Sequence, residues 1–354
     1  MIRPAVFGTE NVLASVSRSP GVTAVVLTAS TVSVWSDPHE RGKRHVFTEA
    51  DWNTSASPTT FPYFYAKTRA EHRAYEVRAR ACACACVCVC VCVALGMCAL
   101  LLEAGWLQVL WLPRARAQQA QHAHARACAR HQPHMRAHTP PPPPQVHADS
   151  GAAWRLVSIN PGAIWGPPTS DRTDGESVGQ MADLLSGALW PWAPPLGVGV
   201  VDVRDVAMAH CIAAVTPSAC GRFLLNSGSE NIMSAAAAIL RKAYPRRWLP
   251  PLKPPRWSLL VFGPMLGLPT AITRATYRKK PLISTAKAAR ELGMVQYISV
   301  KQSVLDMAEA MLSRGMVRAR VPKALPVMAI QLAVLAALCG LLYALYCLAA
   351  GGRQ

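Results

Sequence analysis

The chain has 354 residues, enough for one large domain or two ordinary ones, each with a core of its own. Apolar residues make up 51% and charged ones only 16%, which excludes a disordered, charge-extended chain. Lysine and arginine number 37 against 19 acids, a net charge of +18, so the expected contact is anionic: nucleic acid, a membrane surface or a phosphorylated cofactor.

In chain order, residues 1–80 have ordinary globular texture. Asn11–Val16 reads as a short helix that Ser19, Pro20 and Gly21 break. Val22–Leu27 is an unbroken run rich in β-branched residues, the texture of a strand buried on both faces of a parallel sheet. Tyr63–Arg80 reads as a helix, with Ala66, Ala70, Ala74 and Val77 at three- and four-residue spacing.

Residues 81–150 are low-complexity. Eight of the 12 cysteines lie between Cys82 and Cys128, six of them alternating strictly from Cys82 to Cys92. An Ala/Arg/His/Gln tract and five consecutive prolines, Pro140–Pro144, follow. GTGTGT read in frame gives Val-Cys, so this is the text of a translated repeat or retained intron. Zinc sites favour Cys pairs two to four residues apart with a second pair further on, so no metal is expected here. No spaced disulfide framework is visible either, and a reducing compartment is expected. Met1–Leu13 lacks the apolar region of a signal peptide.

From Trp154 globular texture resumes. Leu156–Ile159, Val198–Val203 and Phe223–Leu225 read as strands, and Ser234–Lys242 and Val300–Met311 as helices. From Ala324 to Gly352 there is no charge, and Arg314, Arg318, Arg320 and Lys323 stand just before the run. Ala324–Ala350 is long enough to span a bilayer, which takes ~20 apolar residues, so a transmembrane tail anchor is expected, with a buried core helix as its rival. The expected location is an intracellular membrane, the endoplasmic reticulum first, with the large N-terminal part in the cytosol. The basic residues between Arg241 and Lys280 then face anionic lipid. No zinc finger, RNP-type motif or heptad accompanies them, so no nucleic acid is expected as a partner.

Three separated pieces suggest one site. Thr28-Ala29-Ser30 ends the first strand, where a parallel sheet meets its ligand crevice. Tyr63 and Lys67 form a Tyr-x-x-x-Lys whose spacing of four puts both on one helix face. Asn160-Pro161-Gly162 follows a later strand, where a turn can back the same crevice. A serine hydroxyl and a phenol given to one carbonyl oxygen would position it for proton transfer while hydride moves to or from a nicotinamide.

At these residues the chain resembles the extended short-chain dehydrogenase/reductases, within them the dihydroflavonol reductase and cinnamoyl-CoA reductase-like group. The matching text runs through Pro4–Leu13, Val25–Ser30, Phe47–Asn53, Tyr63–Glu71, Ile159–Pro167 and Val201–His210. The resemblance implies an α/β Rossmann-type parallel sheet, a smaller C-terminal substrate portion and NADP or NAD as cofactor. It makes Tyr63 the general acid/base and has Ser30 orient the carbonyl. Lys67 lowers the Tyr63 pKa and holds the nicotinamide ribose, while Pro161, Gly162, Ala163 and Ile164 line the nicotinamide pocket. Asp202, Arg204 and Asp205 read as structural, and His210 is assigned no role. The implied reaction interconverts a ketone or aldehyde and an alcohol. The rivals are a 3β-hydroxysteroid dehydrogenase-like sterol enzyme and a non-catalytic membrane-bound remnant.

The family's glycine-rich Gly-x-x-Gly-x-x-Gly turn does not precede Pro4, so the fold is expected to be incomplete, its cofactor-binding N-terminal half outside this chain. The expected division is a partial Rossmann domain over 1–80, an insertion over 81–150, the rest of the sheet and the substrate portion over 151–323, and the anchor over 324–350.

Overall fold

A computed structural model describes residues 2–19, 21–80 and 154–317, together with positions 336, 339 and 340. The low-complexity tract of 81–150 lies outside the described residues.

The central unit is a three-stranded parallel sheet. Strand β1 (Ala24–Thr28) pairs with β3 (Arg155–Pro161), and β3 pairs with β6 (Gly221–Leu225). In register, Leu27 lies beside Ser158 and Ile159 beside Phe223. β3 is the middle strand, and Leu156, Val157 and Ile159 are fully buried, as its unbroken apolar run requires. β1 differs from the sequence reading. It pairs on one side only, and its residues are half-buried or exposed, so it is an edge strand among the described residues.

Helix α1 (Ile2–Ser17) is longer than the Asn11–Val16 segment the sequence suggested, because only Leu13 and Val16 mark its buried side. They pack with Trp52, Trp154, Leu156 and a second helix, α2, over residues 62–80. Pro62 stands in the first turn of α2, where its missing N–H costs nothing. Ala66 and Ala74 are buried and Ala70 and Val77 half-buried, which is the face the spacing marked.

A smaller sheet stands beside the first. β4 (Ala163–Trp165) runs parallel to β5 (Gly197–Asp202), and β5 antiparallel to β7 (Gly228–Asn231). Trp165 and Val200 join Met181, Leu184, Leu240 and Met307 in the largest core cluster. Those side chains come from helices α3 (Glu176–Leu185), α5 (Ile232–Ala243) and α9 (Val300–Ser313). Helix α4 (Val203–Val215) covers the main sheet through Val206, Ala209 and Ala213. Asp202 caps α4 by accepting the Arg204 N–H at 2.8 Å and the Ser303 hydroxyl at 2.6 Å. Burial alone would raise its carboxyl pKa; those bonds and Arg204 outweigh burial and hold it below the ordinary range. A two-stranded pair, β2 (Val46–Phe47) with β8 (Leu282–Ile283), closes one side. Helices α6 (Arg256–Phe262), α7 (Thr270–Thr276) and α8 (Ala286–Leu292) complete the C-terminal portion.

The α/β architecture with its parallel sheet stands, but the transmembrane part of the expected fold class does not. Among the described residues no helix is long and apolar enough to cross a membrane. Of the expected anchor, Ala324–Ala350, only positions 336, 339 and 340 are described. An apolar run reports that a stretch avoids charge; spanning requires a continuous helix of ~20 residues, and none is found among the described residues. The intracellular-membrane location and the lipid contact rested on that helix and fall with it.

Candidate active site

The carboxyl ends of β1 and β3 lie side by side, and this is where the sequence pieces meet. The pairing runs one residue past β1, with the Ala29 N–H donating to the Ile159 carbonyl at 2.8 Å. The chain then turns sharply. Ser30 caps a single 3₁₀ turn, Thr31–Ser33, and its Oγ accepts the Val32 N–H at 3.4 Å. Asn53 fastens this turn from outside: its Nδ2 donates to the Val32 carbonyl at 2.7 Å and its N–H to the Ser33 carbonyl at 2.9 Å.

At the end of β3, Gly162 donates its N–H to the Leu225 carbonyl at 3.0 Å, and the chain passes directly into β4. A side chain at Gly162 would stand 2.5 Å from the Gly199 carbonyl oxygen, so only glycine lets β4 approach β5 here.

These turns line a cleft of about 710 Å³. Ser30, Tyr63, Lys67, Pro161, Gly162, Ala163 and Ile164 all lie on its wall, so the structure brings together every site residue expected from the sequence. Much of the rest of the lining is apolar, including Leu189, Trp192, Leu259, Leu266, Leu268 and Ile272. Among the described residues Lys67 is the one cation on the cleft lining; Glu176, Gln180 and Asp183 come from one side of α3.

Tyr63 and Lys67 stand one turn apart on α2, the ammonium 6.0 Å from the phenol ring centroid. Tyr63 is 43% exposed, open to the cleft. Its pKa is raised, first by burial and then by the Glu176 carboxylate, so the lowering expected from Lys67 is not what this geometry produces. The sequence reading had no signal for Glu176, because α3 and Tyr63 are brought together only by the fold.

Two other contacts were not legible in the sequence. His210 on α4 is hydrogen-bonded through Nδ1 to the Val206 carbonyl at 2.8 Å and through Nε2 to the Thr28 hydroxyl at 2.8 Å. It ties the end of β1 to α4. Glu71, two turns along α2 from Tyr63, is buried in ionic contact with Arg222 of β6 at 2.9 Å.

No protein-family profile matches the chain. Over 161 residues it is 30% identical to cinnamoyl-CoA reductase 1 of Arabidopsis thaliana, covering 45% of this chain and 40% of that protein. Over 177 residues it is 27% identical to cinnamoyl-CoA reductase 1 of Petunia hybrida, covering 50% and 46%. The chain thus spans less than half the length of the curated relatives it matches. Among solved structures it is similar to Gre2 from Candida albicans, with a TM-score of 0.55 at 20% identity, over 89% of this chain and 72% of that one. Yeast methylglyoxal/isovaleraldehyde reductase Gre2 complexed with NADPH gives a TM-score of 0.53 at 19% identity, over 90% and 72%. These structural likenesses establish the fold.

Proposed function

We propose that the chain is a member of the extended short-chain dehydrogenase/reductase family and that its cleft serves an NADP(H)- or NAD(H)-dependent interconversion of a ketone or aldehyde and an alcohol. One observation carries the reading: Ser30, Tyr63, Lys67 and Pro161–Ile164, from three distant segments, line one cavity.

The residues present suit the nicotinamide end of such a coenzyme. Ala29, Gly162 and Ala163 are small enough to leave space for a flat ring, and Lys67, on the same wall, would hold a ribose hydroxyl of the coenzyme. The coenzyme, when bound, supplies or accepts the hydride. The chain's own residues handle the oxygen. The Ser30 hydroxyl donates to the carbonyl oxygen and fixes its direction. The Tyr63 phenol donates its proton to the same oxygen as the alcohol forms, and takes it back in oxidation. A raised phenol pKa keeps that proton in place at neutral pH, which suits carbonyl reduction.

The walls point to the substrate's body. With Leu189, Trp192, Leu259, Leu266, Leu268 and Ile272 around it, the space suits an apolar, uncharged carbonyl compound, as in the dihydroflavonol reductase-like group.

The test follows the coenzyme's absorbance against a panel of apolar aldehydes and ketones. Tyr63→Phe should cut turnover by about 10²–10⁴-fold, since it removes the acid and leaves the ring. Unchanged turnover in that variant would remove Tyr63 from the reaction and overturn the reading.

A further inference from the structure

Asn160 is the penultimate residue of β3, just before Pro161, and its side chain is fully buried. Its Nδ2 donates to the Ser30 carbonyl oxygen at 3.2 Å. The same nitrogen lies 3.0 and 2.9 Å from the two carboxylate oxygens of Glu71. Glu71 sits on α2, the helix that carries Tyr63 and Lys67.

Glu71 is held in turn by Arg222 on β6. Nε donates to one carboxylate oxygen at 2.9 Å and Nη2 to the other at 3.4 Å. Arg222 gives its Nη1 to the carbonyl oxygens of Glu49 at 3.0 Å and Asp51 at 2.5 Å, and its guanidinium lies 3.8 Å from the Trp52 ring centroid. Removing an ion pair from water costs several kcal/mol per ion before attraction offsets it, so apolar residues would fill this space at less cost. What the pair does here is hold an amide.

The amide's own bonding indicates its target. Among the described residues Asn160 Oδ1 has no hydrogen-bond partner, so only the donor half of the side chain is engaged. The Ser30 carbonyl also accepts the Ser33 N–H at 3.0 Å, so this peptide is gripped from the turn on one side and from β3 and α2 on the other. If Ser30 gives its hydroxyl to the oxygen that Tyr63 protonates, the two must keep a fixed separation. A misplacement of ~1 Å can cost 10²-fold in rate.

We propose that Asn160 and Glu71 are positioning residues: together they fix the Ser30 peptide relative to the Tyr63 helix, with Arg222 as the counter-ion that holds Glu71 in place. This rests on the reading of Ser30 and Tyr63 given above, and it adds residues that touch neither substrate nor coenzyme.

Hydrogen exchange by mass spectrometry on the full 354-residue chain tests it without recourse to activity. Asn160→Ala should speed amide exchange across residues 28–36 by about tenfold or more and leave the Val300–Ser313 helix unchanged. Asn160→Ser, which keeps a shorter donor and disturbs packing less, should give an intermediate local rise. No local change, or an equal rise in the Val300–Ser313 helix, would overturn the proposal.

Turnover supplies the second arm. Asn160→Ala should lower kcat about 10- to 100-fold with little change in KM. In a Ser30→Ala background it should lower kcat no further, because its effect passes through Ser30. A full additional loss there would overturn the proposal. If Tyr63→Phe leaves turnover unchanged, the carbonyl-reduction reading fails instead, while the exchange result still decides the role of Asn160.

Discussion

A tyrosine that gives up a proton is set by what surrounds its oxygen. At Tyr63 burial and the Glu176 carboxylate both resist the phenolate, and the Lys67 ammonium does not offset them. Glu176 lies at the start of α3 and lines the same cleft. Glu176→Gln removes a negative charge and keeps the shape, so the Tyr63 pKa should fall while burial still holds it above the ordinary value. NMR titration of ring-labelled tyrosine, with Tyr63→Phe to assign the signal, measures this directly. The same substitution should move the rising limb of alcohol oxidation to lower pH, since phenolate is the base in that direction. An unmoved titration would place the Glu176 charge outside the reach of Tyr63.

At the scale of the element, α2 carries more than its two cleft residues. Its inner face stacks His72 on Trp52, with ring centroids 3.8 Å apart. Burial, reinforced by Arg69 and Arg222 and opposed by Glu71 and Glu76, brings the His72 pKa down to about 4. An unfolded histidine takes its proton near pH ~6.5. Between those values the unfolded chain binds a proton that the folded chain refuses, so stability falls as pH drops from ~6.5 to about 4. The full loss from this one group is about 3 kcal/mol. His72→Phe keeps the stacking and cannot charge. Urea unfolding midpoints across that range should therefore fall less steeply for the variant; parallel curves would show that His72 is not the sensitive group.

Across the whole molecule, the Glu71–Arg222 pair joins α2, β6 and the Glu49–Trp52 segment, with β3 attached through Asn160. Arg222 is 6% exposed and Glu71 1%, so neither can turn to water when its partner goes. Arg222→Met should cost about 3–5 kcal/mol of stability, read from urea unfolding, because it leaves Glu71 charged and unpaired. Replacing both, Glu71→Leu with Arg222→Met, should recover much of that loss. A double variant as unstable as the single one would mean that shape, not charge, is what the pair supplies.

The sequence by itself determined several of the local elements and one group of the residues that line the cleft. The apolar run of Leu156–Ile159 marked the buried middle strand, since a strand covered on both faces has no polar alternation to hide it. Tyr63 and Lys67 were legible because four residues make one helical turn, Pro161 and Gly162 because they follow a strand where parallel sheets bind ligands, and Ala163 and Ile164 only through the family resemblance. Hydropathy over Ala324–Ala350 raised the expectation of an anchor that the described residues do not support, since no helix among them is long and apolar enough to cross a membrane. Tertiary structure alone decided the rest. Glu176 comes to Tyr63, Asn160 to Ser30 and Arg222 to Glu71 across separations of up to 151 residues, and no periodicity encodes such pairs. Local pattern follows from backbone geometry within a few residues; which buried charge meets which partner depends on how the sheet orders its strands.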